Sequence, residues 1–147
     1  MTDELLVGRK LTQIEIYVEE LRTLARPEEI RQNIVEQRFV VFTLYIAIQA
    51  AINVAAHIVA DQKLGLPGSN RGCFLLLGVK GWLPEDLAGR LARMAQFRNV
   101  LIYQNSEVDL GKVEEILRDH LGDLLAFVAA IRQRLSGPTG REIPAQG

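Results

Sequence analysis

From Phe39 to Ala60 the chain runs for 22 residues without a formal charge. A stretch that long and apolar has two physical outcomes. About 20 apolar residues in a helix can span the hydrocarbon core of a bilayer, or the helix can be buried inside a protein. Thr43, Gln49, Asn53 and His57 interrupt the run, and alanine is abundant in it. A polar group in hydrocarbon is costly unless it finds a partner. The expectation is therefore a central helix covered on nearly all sides by a bundle or a dimer, with no membrane span.

The rest of the chain reads as helix around that element, because no period-2 alternation lasts long enough for a strand. A first helix is expected from about Asp3 to Ala25, with Leu6, Ile14, Val18, Leu21 and Leu24 on one side. Pro27 breaks it and can start the next helix, with Glu28 and Glu29 favourably placed in a first turn. That second helix is expected to be long, from about Pro27 to Gln62, polar at first and apolar from Phe39. Gly65-Leu66-Pro67-Gly68 is a loop, and Ser69 caps a short helix through Leu77.

Gly78 and Gly81 end that piece. Leu83-Pro84-Glu85-Asp86 has the form of a helix start, with proline at the first position and acids in the first turn. This fourth helix carries Leu87, Leu91 and Met94 and reaches the Arg98 region. Asp109 caps a fifth helix to about Leu135, along which Val113, Ile116, Leu117, Leu121, Leu124, Val128, Ile131 and Leu135 form one stripe. The expectation is an all-α antiparallel bundle of about five helices forming a single domain over residues 1–135. Ser136 to Gly147, with Gly137-Pro138, Gly140 and Pro144, reads as a disordered tail.

Several function classes are set aside by composition. The net charge of −1 gives no global basic field of the kind that attracts nucleic acid, so any RNA contact must come from a local patch. Arg90, Arg93 and Arg98 are the local candidates for tracking a phosphate backbone, although scattered arginines of this kind also serve as ion-pairing surface. The single cysteine, Cys73, permits neither an internal disulfide nor a thiolate zinc site, and suits a reducing cytoplasm as a small buried apolar group. Residues 1–10 lack the apolar segment of a signal peptide. No metal site and no cofactor are expected, and the location expected is cytoplasmic.

The segment Phe97-Arg98-Asn99-Val100-Leu101-Ile102-Tyr103-Gln104-Asn105-Ser106-Glu107-Val108-Asp109 carries the sharpest functional signal. It resembles the signature of HepT-like HEPN proteins, small all-helical ribonuclease toxins, in which Arg-Asn is followed by three residues, His, one residue and Tyr. Two further segments support the resemblance. Phe42 to Val59, FTLYIAIQAAINVAAHIV, is similar to that family's central helix, and VEEILRDHLGDLLAFVAAI to its last helix. The likeness covers roughly residues 5–135. It implies a homodimer with two signatures facing a shared cleft, metal-independent RNA cleavage, and an MntA-type minimal nucleotidyltransferase antitoxin that adenylylates the signature tyrosine.

Residue by residue, the chain departs from that pattern. Arg98 matches the family arginine, whose planar fork suits phosphate binding and charge stabilisation; on spacing alone, an ion pair to Asp109 or Glu107 explains it as well. Asn99 matches the asparagine, and a plain helix C-cap is an equal reading. Tyr103 stands where the family has histidine. A phenol with a pKa of about 10 is a poor general base at neutral pH, and losing a general acid–base group costs about 10²–10⁴ in rate. Weak or absent cleavage is expected, which leaves open a non-catalytic adaptor that binds the nucleotidyltransferase or RNA.

Asn105 stands where the family has its adenylylated tyrosine, and an amide has no phenolic oxygen to accept AMP. Tyr103 is then a candidate substitute acceptor. Five residues of helix would put Arg98 and Tyr103 about 140° apart, so they could share one site only through a helix break or across a dimer axis. Tyr45, Gln49, Asn53 and His57 recur every four residues and line one helix face. Asn53 and His57 are expected to border the cleft near Arg98, with His57 the histidine placed to take over proton transfer. The alternative is an interhelical hydrogen-bond network or a polar strip at a dimer interface. His120 reads as a solvated surface group.

Overall fold

The computed structural model describes residues 3–103 and 109–136, the side chains of Ile102 and Tyr103 excepted. Among the described residues there are six α-helices and no strand: α1 (Glu4–Thr23), α2 (Ile34–Asp61), α3 (Asn70–Val79), α4 (Glu85–Tyr103), α5 (Leu110–Asp119) and α6 (Leu121–Ser136). The tail from Gly137 onward lies outside them, as do Gln104 to Val108, which include Asn105.

Local chemistry starts most of these helices. Asp3, Ser69 and Asp109 each turn a side-chain oxygen back to the N–H three residues ahead, at 3.1 Å in every case. Each satisfies one of the orphan donors of a first turn. Pro84 lies just outside α4 rather than at its first position, and its carbonyl accepts the Ala88 N–H.

The long second helix expected from Pro27 is shorter. Pro27–Glu29 forms one 3₁₀ turn, and the helix proper starts at Ile34. Asn33 causes the restart: its Oδ1 accepts from both Val35 N and Glu36 N, a bond set that requires extended backbone at the cap. Buried Glu36 then accepts the Arg26 N–H and ties the preceding turn down.

The expected fifth helix is two. The chain breaks at His120, whose φ of −126° and ψ of 0° leave helical geometry. Its imidazole lies between Glu115 and Asp123, so it is not simply solvated. Along α1 the core face is Val7, Leu11, Ile14, Val18 and Leu21, whereas Leu6 and Leu24, expected on it, are exposed.

One hydrophobic core collects residues from all six helices. Helix α2 runs through it between α1, α3, α4 and α6. It is long and apolar enough to cross a membrane by length and composition, yet Val40, Leu44, Ala47, Ile48, Ala55 and Ile58 are sealed against neighbouring helices. That cover is one-sided. Val35, Phe42, Asn53, Ala56 and Ala60 are exposed and Phe39, Tyr45, Ile46 and Gln49 half-buried, forming a stripe that this single chain leaves open.

Two positions require glycine, one for space and one for backbone conformation. A Cβ at Gly72 would stand 2.0 Å from the Pro67 carbonyl oxygen, so the α2–α3 loop can press onto the first turn of α3 only there. Gly81 adopts φ +82° in the turn to α4, a region that favours glycine. The Arg134 guanidinium covers this turn, donating to the Gly81 carbonyl and lying 4.6 Å from the Trp82 ring centroid.

Candidate functional site

Arg98 sits on α4 where that helix crosses α2, and α2 supplies most of what it touches. Nη1 donates to Gln49 Oε1 at 2.8 Å, and Nη2 donates to Asn99 Oδ1 at 2.8 Å. The guanidinium carbon lies 5.9 Å from the centroid of the Tyr45 ring, within the range of a cation–π contact. Gln49 Nε2 in turn donates to Asn53 Oδ1 at 2.8 Å. The face Tyr45-Gln49-Asn53, one residue per helical turn, thus forms a polar row under the arginine.

The electrostatic character of the site follows from what is missing around Arg98. Among the described residues no carboxylate lies within ion-pair distance of it, Asp109 included. Its acceptors are two amide oxygens, and its Nε is buried without a partner among those residues. An arginine cannot shed its proton at any ordinary pH, so the site holds a full positive charge that the described residues orient but do not neutralise.

The other expected site residues are placed as follows. Asn99 is not a C-cap: helix α4 continues through Tyr103, and Asn99 is exposed on it as an acceptor for its neighbour. The continuous helix also removes the break that would have let Arg98 and Tyr103 meet within one chain; their backbone positions stand about 140° apart around the axis. Asn105 lies outside the described residues. Asn53 joins the Arg98 site through Gln49. His57 does not, since it stands eight residues beyond Gln49, about 12 Å along the helix, where its Nε2 accepts the Asp3 N–H at 3.5 Å.

The arginine trio divides in the same way. Arg90 is committed to Asp123 at 3.1 Å and Asp86 at 3.3 Å. The bond to Asp123 first, then that to Asp86, pushes its pKa above the usual arginine value, and Arg90 holds the exposed Asp86 carboxyl below the usual range. With Arg93, Lys112, Glu115 and His120 it lines a mixed-charge cavity between α4 and α5, of about 200 Å³ and floored by Met94, Phe97 and Ile116. No group of three or more His, Cys, Asp or Glu among the described residues could hold a metal ion.

Sequence reading placed Gln49 and Tyr45 on a polar helix face but did not pair them with Arg98. The available signal was spacing: three polar side chains at i, i+4 and i+8 of an apolar helix share one face.

Comparison with known proteins converges on one group. Residues 11–131 match the family model described as ribonuclease HepT-like. The mRNA nuclease HepT of Shewanella oneidensis is 30% identical over 104 residues, covering 71% of this chain and 78% of that protein. A tri-AMPylated Shewanella oneidensis HEPN toxin solved in complex with an MNT antitoxin superposes with a TM-score of 0.80 at 26% identity, over 90% of this chain and 98% of that one. A toxin–antitoxin crystal structure with AMP-PNP gives a TM-score of 0.79 at 26% identity, covering 89% and 99%. The cytosolic protein of unknown function YutE from Bacillus subtilis shares the fold, with a TM-score of 0.85 at 16% identity over 97% and 96%.

Proposed function

We propose, from the premise that the chain belongs to the HepT-like ribonuclease family, that it is the toxin member of a toxin–antitoxin pair, of the metal-independent endoribonuclease class. Its partners are a second copy of itself, an MntA-like nucleotidyltransferase antitoxin and RNA, and its location is the cytoplasm. The observation that carries the reading is the guanidinium of Arg98, oriented by Gln49 and Asn99 on the open side of α2 with no carboxylate beside it among the described residues. Metal-free cleavage moves a proton from the ribose 2′-hydroxyl, spreads negative charge over the phosphate and returns a proton to the leaving 5′-oxygen. Arg98 supplies the charge stabilisation.

The proton transfers are the weak half. Tyr103 replaces the histidine suited to them, and the continuous α4 keeps it off the Arg98 face of its own chain. Cleavage in this reading is impaired and depends on a dimer that brings two signatures to one cleft. Those same substitutions favour a second reading, a non-catalytic dimeric adaptor that binds the nucleotidyltransferase or RNA without turnover. Asn105 has no hydroxyl to accept AMP in either case, and Tyr103 is the substitute acceptor; mass spectrometry after incubation with the antitoxin and ATP, finding no AMP on Tyr103, would refute that assignment.

Labelled RNA incubated without metal with the natural chain, with Tyr103→His/Asn105→Tyr, and with that double variant carrying Arg98→Ala separates the readings. The expected result is cutting by the double variant, loss of cutting on removal of Arg98, and little or none by the natural chain. No cutting by the double variant overturns the nuclease assignment.

A further inference from the structure

Arginine carries five N–H donors and no acceptor, so it dictates the orientation of any amide packed against it. Gln49 must present Oε1 to Arg98, which turns its Nε2 away, and Nε2 then requires an acceptor, which Asn53 Oδ1 provides. The order Arg98–Gln49–Asn53 is therefore a directed chain of hydrogen bonds, each amide oxygen turned toward the preceding donor. The ring centroid of Tyr45, one turn before Gln49, lies 5.9 Å from the guanidinium carbon. The three α2 side chains, Tyr45, Gln49 and Asn53, carry no formal charge. A carboxylate at position 49 would hold the fork more tightly as a charge-assisted pair but would also spend the charge. Glutamine and glutamate differ little in shape, so this choice has an electrostatic consequence and almost no steric one.

We propose that Gln49 is a positioning residue for phosphate recognition at Arg98: its carbonyl aims the guanidinium while leaving its charge for an anionic ligand, and Asn53 locks the amide in that sense. The inference rests on the reading of Arg98 as the phosphate-binding group of an RNA site.

The test measures binding of a labelled single-stranded RNA to the full chain by fluorescence anisotropy over a salt series, with thermal melting alongside. Arg98→Ala is expected to weaken binding about tenfold or more, the scale of a lost charge-assisted bond, and to reduce the salt slope by about 0.7, one phosphate contact on a single strand. Gln49→Glu is expected to reproduce both effects with the melting temperature unchanged or raised. Gln49→Ala and Asn53→Leu are expected to weaken binding only a few-fold, with the slope retained, because the charge remains but loses its aim. A purely structural role would move the melting temperature and leave the slope alone. If Arg98→Ala weakens binding while Gln49→Glu and Gln49→Ala bind as the natural chain does, the positioning role is wrong and the Arg98 reading survives. If RNA does not bind, or binds equally to Arg98→Ala, the phosphate reading itself has failed, and Gln49's role fails with it.

Discussion

His120 Nδ1 stands 3.2 Å from Asp123 Oδ2, across the break between α5 and α6. Asp123 turns its other oxygen to Arg90 Nε at 3.1 Å, and His120 Nε2 faces Glu115 at 3.4 Å. One nearly covered carboxylate thus joins three helices. Asp123→Ala strips both partners at once and should cost about 1–3 kcal/mol in urea unfolding, the scale of leaving part-buried polar groups unmet. Asp86→Ala, which removes an exposed partner of the same arginine, should cost far less. Equal losses would show that the three-helix junction does not contribute to stability.

Gly78 is a packing position. A Cβ there would lie 2.7 Å from the Ala88 Cβ, where α3 meets α4. Gly78→Ala gains up to about 1 kcal/mol of helix propensity, against an overpacking cost of about 1–3 kcal/mol. Net destabilisation is expected, and Ala88→Gly in that background should relieve part of it. Denaturation of the two single variants and the double variant gives the coupling directly; strictly additive effects would contradict the contact.

The bidentate pair between Glu15 and Arg132, at 2.7 and 2.9 Å, ties α1 to α6. The hydrogen bond from Arg132 holds the Glu15 carboxyl below its ordinary range. A carboxyl whose folded pKa is depressed contributes stability above its unfolded pKa, and that contribution is lost as pH falls through the folded value. Both side chains are more than a third exposed, so the contribution is expected below about 1 kcal/mol and should shrink with salt. Melting curves of Glu15→Gln and the natural chain should differ near neutral pH and converge at the acid end. Curves that stay parallel down to low pH would remove the pair from the balance.

Cys73 is buried against the α2–α3 loop, and desolvation pushes its thiol pKa up. Since the thiolate is the reactive form, a disulfide reagent should label the folded chain slowly at neutral pH and label the denaturant-unfolded chain quickly. Fast labelling without denaturant would mean that the α2–α3 end opens readily.

Much of this fold was legible because it is local. The caps at Ser69 and Asp109 act over three residues, and the apolar spacing of α4 and α6 needs no partner to be read. The break at His120 was not legible. The stripe from Val113 to Leu135 keeps helical spacing straight through it, and the break coincides with contacts of the imidazole to carboxylates on both sides. Asn33 similarly restarts a helix that Pro27 seemed free to begin. At the site, the match of Arg98 and Asn99 to the family pattern could be read from order alone, while the reading of Asn99 as a cap failed because α4 runs on to Tyr103.

The sequence by itself determined the all-helical class, the long apolar segment of α2 and the family, since each of these is a pattern along the chain. Only the tertiary structure decided which groups surround Arg98. Its partner Gln49 lies 49 residues away on another helix, and nothing in periodicity distinguishes a crossing that meets Gln49 from one that meets Asn53 a turn later or His57 two turns later. Among the described residues, that crossing surrounds Arg98 with amides and an aromatic ring and brings no carboxylate to it.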